Sequence, residues 1–339
     1  MTGFDQITGH EETIRHLRDS VRLGKVNHAY IIEGPEGSGK RTIAAAFAQA
    51  LECERTDVAP CGECHSCRQA SSGNHPDIKW VLPDQERSGQ IRVDDIRARI
   101  VSDVAILPYQ GQYKVYIVPE AEKMNAAAQN ALLKTLEEPP SYAVILLLTT
   151  NAESFLETIR SRCVLLALKP VREAQVEEYL MHHVQIPDYQ ARLCAAFAQG
   201  SIGTALRLAT SEQFQELREE GVSLVRRIRD LSVTELIIYI KELAERRNKS
   251  KESYPDFVKD YLDILTVWFR DVLYFKATRD ADRLIFRDQL QLIRARSQVS
   301  SYEGIETILQ ALDKARQRLD ASVSFELTME LLFLTIKEN

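Results

Sequence analysis

Gly34-Pro35-Glu36-Gly37-Ser38-Gly39-Lys40 joins an apolar run to the helical pattern Ile43 to Leu51. Glycines at this spacing let successive backbone N–H groups point inward, a helix N-terminus adds its positive dipole, and a lysine reaches a phosphate. Gly34, Gly37, Gly39, Lys40 and Thr42 are therefore candidate residues for binding ATP or ADP. The next position departs from the pattern. Arg41 stands where a Ser or Thr hydroxyl would ligate Mg²⁺. A guanidinium cannot ligate a cation, and Thr42 lies about 100° further round the helix. The competing reading is a glycine-rich turn with no nucleotide site.

A second constellation follows at once. Cys53, Cys61, Cys64 and Cys67 form Cys-x7-Cys-x2-Cys-x2-Cys. Thiolates two residues apart wrap a metal in a tight turn, and four of them complete a closed tetrahedral Zn²⁺ shell. A closed shell leaves no position for a reacting water, so the zinc would be structural. An iron–sulfur cluster is the alternative ligand, since successive Cys-x2-Cys steps also suit clusters. His65 and His75 read as solvated loop residues rather than substitute ligands. Cys163 and Cys194 fall within apolar sequence, Cys194 as a core residue.

The elements that must position these groups are also legible. The chain has 339 residues, 45% hydrophobic and 27% charged, enough for two or three soluble domains. A formal net charge of −6 excludes a molecule that attracts nucleic acid as a whole, so DNA contact must be local or supplied by partners. No apolar run approaches the roughly 20 residues of a membrane span, and Met1 to His10 lacks a signal-peptide core. The expected location is the cytoplasm, where cysteines serve as metal ligands or core thiols before disulfides.

Five β-rich runs lie in the first half: Ala29 to Ile32, Trp80 to Leu82, Val115 to Val118, Val144 to Leu148 and Val164 to Leu168. Continuous apolar runs of this length suit strands buried on both faces of a parallel sheet. Helical patterns alternate with them. One opens at Val93 and carries Ile96, Ile100 and Val104, and another runs from Ala126 to Leu136 before Pro139-Pro140. An open α/β sheet is the expected fold. After Pro170 the β signal disappears, and short helices with a break at Gly200 to Gly203 extend to about Thr210. Longer amphipathic helices follow. Asp256 is a candidate cap for one carrying Phe257, Tyr261, Leu262, Leu265, Trp268, Phe269 and Val272. Arg246 to Ser253 reads as an interhelical loop. Arg226, Arg227, Arg229 and the basic residues of 246–251 read as solvated helix faces, since glutamates stand close by. The expected domains are 1–169 with the cysteine module 53–67, 170–210, and 211–339.

Ala128-Gln129-Asn130-Ala131-Leu132-Leu133-Lys134-Thr135-Leu136-Glu137-Glu138-Pro139-Pro140, with the later Ser161-Arg162-Cys163, resembles bacterial clamp-loader ATPase subunits of the AAA+ class. The four-cysteine module after the phosphate loop places the resemblance in the γ/τ and δ′ branch of DNA polymerase III subunits. The match runs from the N-terminus to about Ala209. It implies an AAA+ P-loop domain, a small helical lid and an all-α collar. It further implies a pentameric ring with γ/τ and δ subunits that loads the sliding β clamp on primer-template DNA.

Active members of the family end the third strand in Asp-Glu, for Mg²⁺ and for the attacking water. Here the corresponding pair is Pro119-Glu120. Thr150 matches the first polar sensor, and Gly203 stands where the family carries a lid arginine. Losing two metal-supporting groups and a cation leaves little phosphoryl-transfer chemistry to expect. The resemblance therefore favours the non-hydrolysing δ′ branch, with nucleotide binding at Lys40 left open. Arg162 stays intact at the family's arginine-finger position, where it would reach a neighbour's ATP; by itself it reads as an ordinary surface arginine. The alternatives are an active γ/τ-type ATPase and a zinc-stabilised module of another AAA+ assembly.

Overall fold

The computed structural model describes residues 3–83, 89–250, 254 and 256–339. The chain divides into two compact units, residues 1–179 with 198–204 and residues 180–197 with 205–339.

In the first unit the apolar runs become five strands: β1 (Ala29–Glu33), β2 (Ile78–Trp80), β3 (Lys114–Val118), β4 (Ala143–Thr149) and β5 (Val164–Ala167). They pair in the order β2-β3-β4-β1-β5, all parallel. Alternate residues of each strand point to opposite faces. Ile31, Tyr116, Ile145 and Leu147 enter one apolar cluster, and Tyr30, Ile117, Leu146 and Leu148 enter the other. Helices cover both faces, so the strands need no polar side, which is why their sequence does not alternate.

The helices of this unit are α1 (Glu11–Arg22), α2 (Lys40–Leu51), α3 (His65–Ser71), α4 (Val93–Ile96), α5 (Ala126–Glu137), α6 (Glu157–Arg160) and the start of α7 (Glu173–His183). α2 packs on the sheet through Ile43, Ala44 and Phe47, and the Phe47 ring meets Tyr30 edge-on at 5.3 Å. α5 starts at Asn125, whose side chain accepts the Ala128 N–H, and ends before Glu138. α4 passes into a wider π-helical turn, Arg97–Val101, yet Ile96, Ile100 and Val104 still reach the core.

β2 lies two residues earlier than its apolar run suggests. Its ladder pairs Ile78 with Val115 and Trp80 with Ile117. An edge strand tolerates a polar residue at its centre, and the Lys79 ammonium finds Asp103 at 2.6 Å.

The second unit is helical. After α8 (Asp188–Ala198) and α9 (Ile202–Thr210), which begins in the first unit, come α10 (Glu212–Arg227), α11 (Val233–Ser250) and α12 (Phe257–Thr278). They are followed by α13 (Leu290–Val299), α14 (Tyr302–Asp320) and α15 (Phe325–Glu338). α12 is central, with Tyr261, Leu265, Trp268, Phe269 and Val272 buried as the periodicity requires. Cys194 is also fully buried.

Two expectations are corrected here. Asp256 precedes α12 but makes no capping bond with its side chain, which instead pairs with Arg207 at 3.2 Å. Arg246 to Ser250 is the last part of α11 rather than loop, because Arg246 pairs with Glu220 and, at 3.6 Å, with Glu216 of α10. Residues 251–253 of that stretch lie outside the described residues. The basic residues are only partly a solvated face: Arg247 stacks on Phe325 at 4.9 Å, and Arg229 donates to the Asn339 carbonyl at 2.8 Å. Among the described residues no helix is long and apolar enough to cross a membrane.

The central strand carries a checkable cost. Leu146 of β4 is fully buried between covered faces. Leu146→Ala should lower unfolding free energy by about 2–5 kcal/mol in urea titration.

Candidate functional site

β1 stands where the chain reverses across the sheet, between β4 and β5, and its carboxyl end opens into the glycine-rich loop. Clefts in open α/β sheets form at such reversal points. The Gly34 N–H donates to Thr149 O at 3.1 Å, continuing the β1–β4 pairing into the loop. Gly37 (φ 71°) and Gly39 (φ 89°) supply the left-handed turns that let α2 start at Lys40. A cleft of about 610 Å³ follows, lined by Gly37, Gly39, Lys40, Thr42, Glu120 and Thr150 of the sequence-based set, together with Pro119 and Gly203. Gly34 is buried beneath it.

Most of the charged and hydroxyl groups in this cleft already have a partner, whereas the buried Ser38 hydroxyl has none. Lys40 Nζ donates to the Gly34 carbonyl at 2.5 Å and the Pro35 carbonyl at 2.8 Å. Burial holds its pKa below the ordinary lysine value, against the pull of Glu122 and Glu36. The Arg41 guanidinium lies over the Trp80 ring, 5.6 Å from its centre. Glu120, in the left-handed conformation at φ 51°, is paired with Lys123. The Thr150 hydroxyl donates to Glu122 at 3.0 Å.

The first turn of α9 sits directly on the phosphate loop. The Gly203 N–H donates to Gly37 O at 2.9 Å, and the Ser201 hydroxyl donates to Glu36 O at 2.9 Å. A Cβ on Gly203 would lie 2.8 Å from the Gly37 Cα, so this is a position that only glycine fits. On the other side of the loop, His10 Nε2 lies 3.0 Å from Ser38 O. A carbonyl only accepts, so this nitrogen carries the proton. Burial pushes the imidazole pKa down, opposed by that bond and by Glu11.

Arg162 does not line this cleft. It follows α6, one-third exposed, with its guanidinium 2.9 Å from Glu137 and donating to the Thr158 carbonyl at 2.9 Å.

The cysteines come together as their spacing requires. The Sγ atoms of Cys53, Cys61, Cys64 and Cys67 all lie within 4.8 Å of one another, with Cys61 and Cys67 at 3.9 Å. Zn–S bonds of about 2.3 Å in a tetrahedron put sulfurs roughly 3.8 Å apart, so the donor set fits zinc. Backbone N–H groups point at the sulfurs: Cys61 at Cys53, Cys64 at Cys61, and Cys67 at Cys64, at 3.3–3.4 Å. Desolvation raises the Cys61 thiol, but the Cys64 and Glu63 amides and the Arg55 guanidinium outweigh it and bring it down to about 6. The module is tied to α2 by Gln49, whose amide donates to Cys67 O at 3.0 Å.

His75 corrects the sequence reading. It is buried, its Nδ1 accepts the Asp77 N–H at 3.2 Å, and its Nε2 meets Ser66 Oγ at 3.0 Å. It is a core histidine, whereas His65 is exposed. Asp77 accepts three backbone N–H groups, from Tyr109, Gln110 and Gly111, at 2.6–3.0 Å. Beside it, burial and the Asp77 charge push the Glu52 carboxyl up to about 8. Nothing in the spacing of Glu52, His75 and Asp77 announces this buried group. Gln129 was also not singled out as a site residue. Its amide donates to Met124 O at 3.2 Å and Ser154 O at 3.3 Å and accepts Leu156 N–H at 2.8 Å, joining the segments that follow β3 and β4. An amide among the alanines and leucines of α5 was the available signal.

Residues 9–172 match the family model described as DNA polymerase III, delta subunit, and residues 233–338 match the one described as its C-terminal part. The chain is similar to DNA polymerase III subunit delta′ of Pseudomonas aeruginosa (strain PAO1), at 33% identity over 317 residues, covering 91% of this chain and 90% of that protein. It is similar to the Bacillus subtilis (strain 168) subunit delta′ at 28% identity over 332 residues, covering 95% and 94%. With Escherichia coli (strain K12) subunit tau it shares 35% identity over 211 residues, covering 60% of this chain and 32% of that protein.

The histidine on the phosphate loop sets a pH signature. The unfolded chain takes up a proton near the ordinary histidine value of about 6.5, and the folded chain does so at lower pH. The stability that burying a neutral His10 contributes, which the Ser38 bond only partly offsets, is therefore complete above that value and is lost as pH falls below it toward the folded value. His10→Gln, which keeps a donor for Ser38, should flatten the acid side of the stability profile below about pH 6.5, read from urea midpoints.

Proposed function

The chain belongs to the DNA polymerase III delta′ subunit family, and from that premise we propose that it is the non-hydrolysing member of a clamp loader. In this reading it sits in a pentameric ring with γ/τ and δ subunits. It supplies Arg162 to the ATP site of an adjacent γ/τ subunit, and the ring loads the sliding β clamp on primer-template DNA. Residues 1–169 act as the AAA+ domain, 170–210 as its lid, and 211–339 as the collar through which the ring assembles.

The observation that carries the reading is Arg41 stacked on Trp80. The position that should offer Mg²⁺ a hydroxyl offers a cation fixed to an aromatic face, and Pro119 takes the place of the supporting carboxylate. Phosphoryl transfer needs the metal and cationic groups to neutralise charge on the phosphates. Gly203, docked on Gly37, brings no side-chain cation to the loop, which supports the same conclusion. Arg162, by contrast, lies outside that cleft, partly exposed and held by one carboxylate and one carbonyl at the surface. An arginine given in trans to a triphosphate is worth about 10³–10⁵ in rate. The active-ATPase reading is favoured only by Lys40, Glu120 and Thr150 lining one cleft.

The four cysteines would hold one structural Zn²⁺, whose closed shell pins the loop between α2 and α3. When bound, zinc supplies no reactive position there. Its role is to replace the apolar core that so short a segment lacks.

Purified chain incubated with Mg-ATP should release phosphate no faster than the Lys40→Ala variant. Metal-dependent turnover that Lys40→Ala abolishes would establish the active-ATPase reading instead. In the reconstituted loader, Arg162→Ala should lower DNA- and clamp-stimulated turnover at least tenfold, a loss of about 1.4 kcal/mol of transition-state stabilisation. An unchanged rate would remove the finger role. Metal analysis should give about one zinc per chain, lost with Cys64→Ser, and chelation should lower the thermal midpoint.

A further inference from the structure

Glu137 is the last residue of α5, and Pro139-Pro140 keep the chain from continuing the helix. Its carboxylate lies 2.9 Å from Nη2 of Arg162, and the two side chains are 50% and 35% exposed. Nη1 of the same guanidinium donates to the Thr158 carbonyl at 2.9 Å. The backbone beneath is anchored. The Arg162 N–H donates to Ile159 O at 3.0 Å, and Cys163 packs against the apolar cluster under the sheet. Partner choice is therefore confined to the water-facing side of the guanidinium.

A carboxylate in the last turn of a helix faces the negative end of the helix dipole. α5 alone gives Glu137 no electrostatic support, and Arg162 supplies it. The pair is nevertheless weak: an exposed ion pair shifts an equilibrium by a factor of about five at most. Phosphate oxygens accept shorter, charge-assisted and often bidentate bonds from a guanidinium. Exchange of the carboxylate for a triphosphate is thus favourable, and the carboxylate opposes it only slightly.

Resting on the reading of Arg162 as a donor to a neighbour's ATP site, we infer that Glu137 is a positioning residue. It holds the guanidinium in the resting subunit and releases it to the neighbour's nucleotide phosphates. Glu137 and the phosphates compete for one cation, so Glu137 sets how often the finger engages before DNA arrives. The pair Arg160–Glu153 closes the preceding turn at 2.5 Å and leaves Glu137 as the acidic partner of Arg162 among the described residues.

The experiment uses the reconstituted loader with γ/τ and δ subunits. ATP turnover is measured against ATP concentration, without DNA, for wild type, Glu137→Gln, Arg162→Ala and the double variant. Assembly is followed by size-exclusion chromatography. Glu137→Gln is expected to raise kcat about two- to fivefold with KM unchanged and assembly intact. The gain is expected to vanish in the Arg162→Ala background. A Glu137→Gln rate equal to or below wild type, or an equal gain with and without Arg162, would overturn the role of Glu137. The finger reading survives that result if Arg162→Ala alone still lowers stimulated turnover. Should Arg162→Ala change nothing, the finger reading fails first and Glu137 falls with it.

Discussion

The pairing of β1 between β4 and β5 is the constraint on which the cleft depends. Tyr30 to Glu33 stand in register with Leu146–Thr149 on one side and Val164–Ala167 on the other, so β1 is paired along both edges. Because all strands run parallel, the segments after β1, β3 and β4 that line the cleft leave from one edge. The β1 loop cannot move without breaking the Gly34–Thr149 bond, and Glu33 reaches across to accept the Ala152 N–H at 2.8 Å. Two covered apolar faces supply the burial that holds this edge in place.

Within the cleft, charge is conserved but redirected. Lys40 bonds to carbonyls of its own loop, Glu120 is matched by Lys123, and Thr150 by Glu122. A phosphate entering would have to displace these contacts one by one. Around Arg162 the partners are fewer and weaker: one carboxylate, the Thr158 carbonyl and, at 3.4 Å, the Ser161 hydroxyl hold a partly exposed guanidinium.

The sheet, the loop and the cysteine cluster were legible because each follows a local rule. Apolar runs announce strands, glycine spacing announces a phosphate loop, and Cys-x2-Cys steps announce a tetrahedral donor set. What stayed hidden depends on where side chains end. Arg41 identifies a missing hydroxyl, but only the fold brings Trp80 beneath its guanidinium. Gly203 was visible as a missing arginine, while its close approach to Gly37 was not. His75 looked like a loop residue because Ser66 and Asp77, which make its burial affordable, contribute through folded geometry. The basic end of α11 was mistaken for a loop for a related reason: its glutamate partners sit on α10.

Cys163 and Arg162 are consecutive, one facing the apolar cluster and the other facing water. Burial raises the Cys163 thiol to about 12, as befits an inert packing group. Both lie in the turn just before β5, so inserting or deleting one residue here would change which side chain meets the apolar cluster and which meets water. A guanidinium would then be driven among aliphatic side chains, at the desolvation cost of an unpaired charge. The segment leading into β5 is therefore held to a fixed length as firmly as to these two residue types.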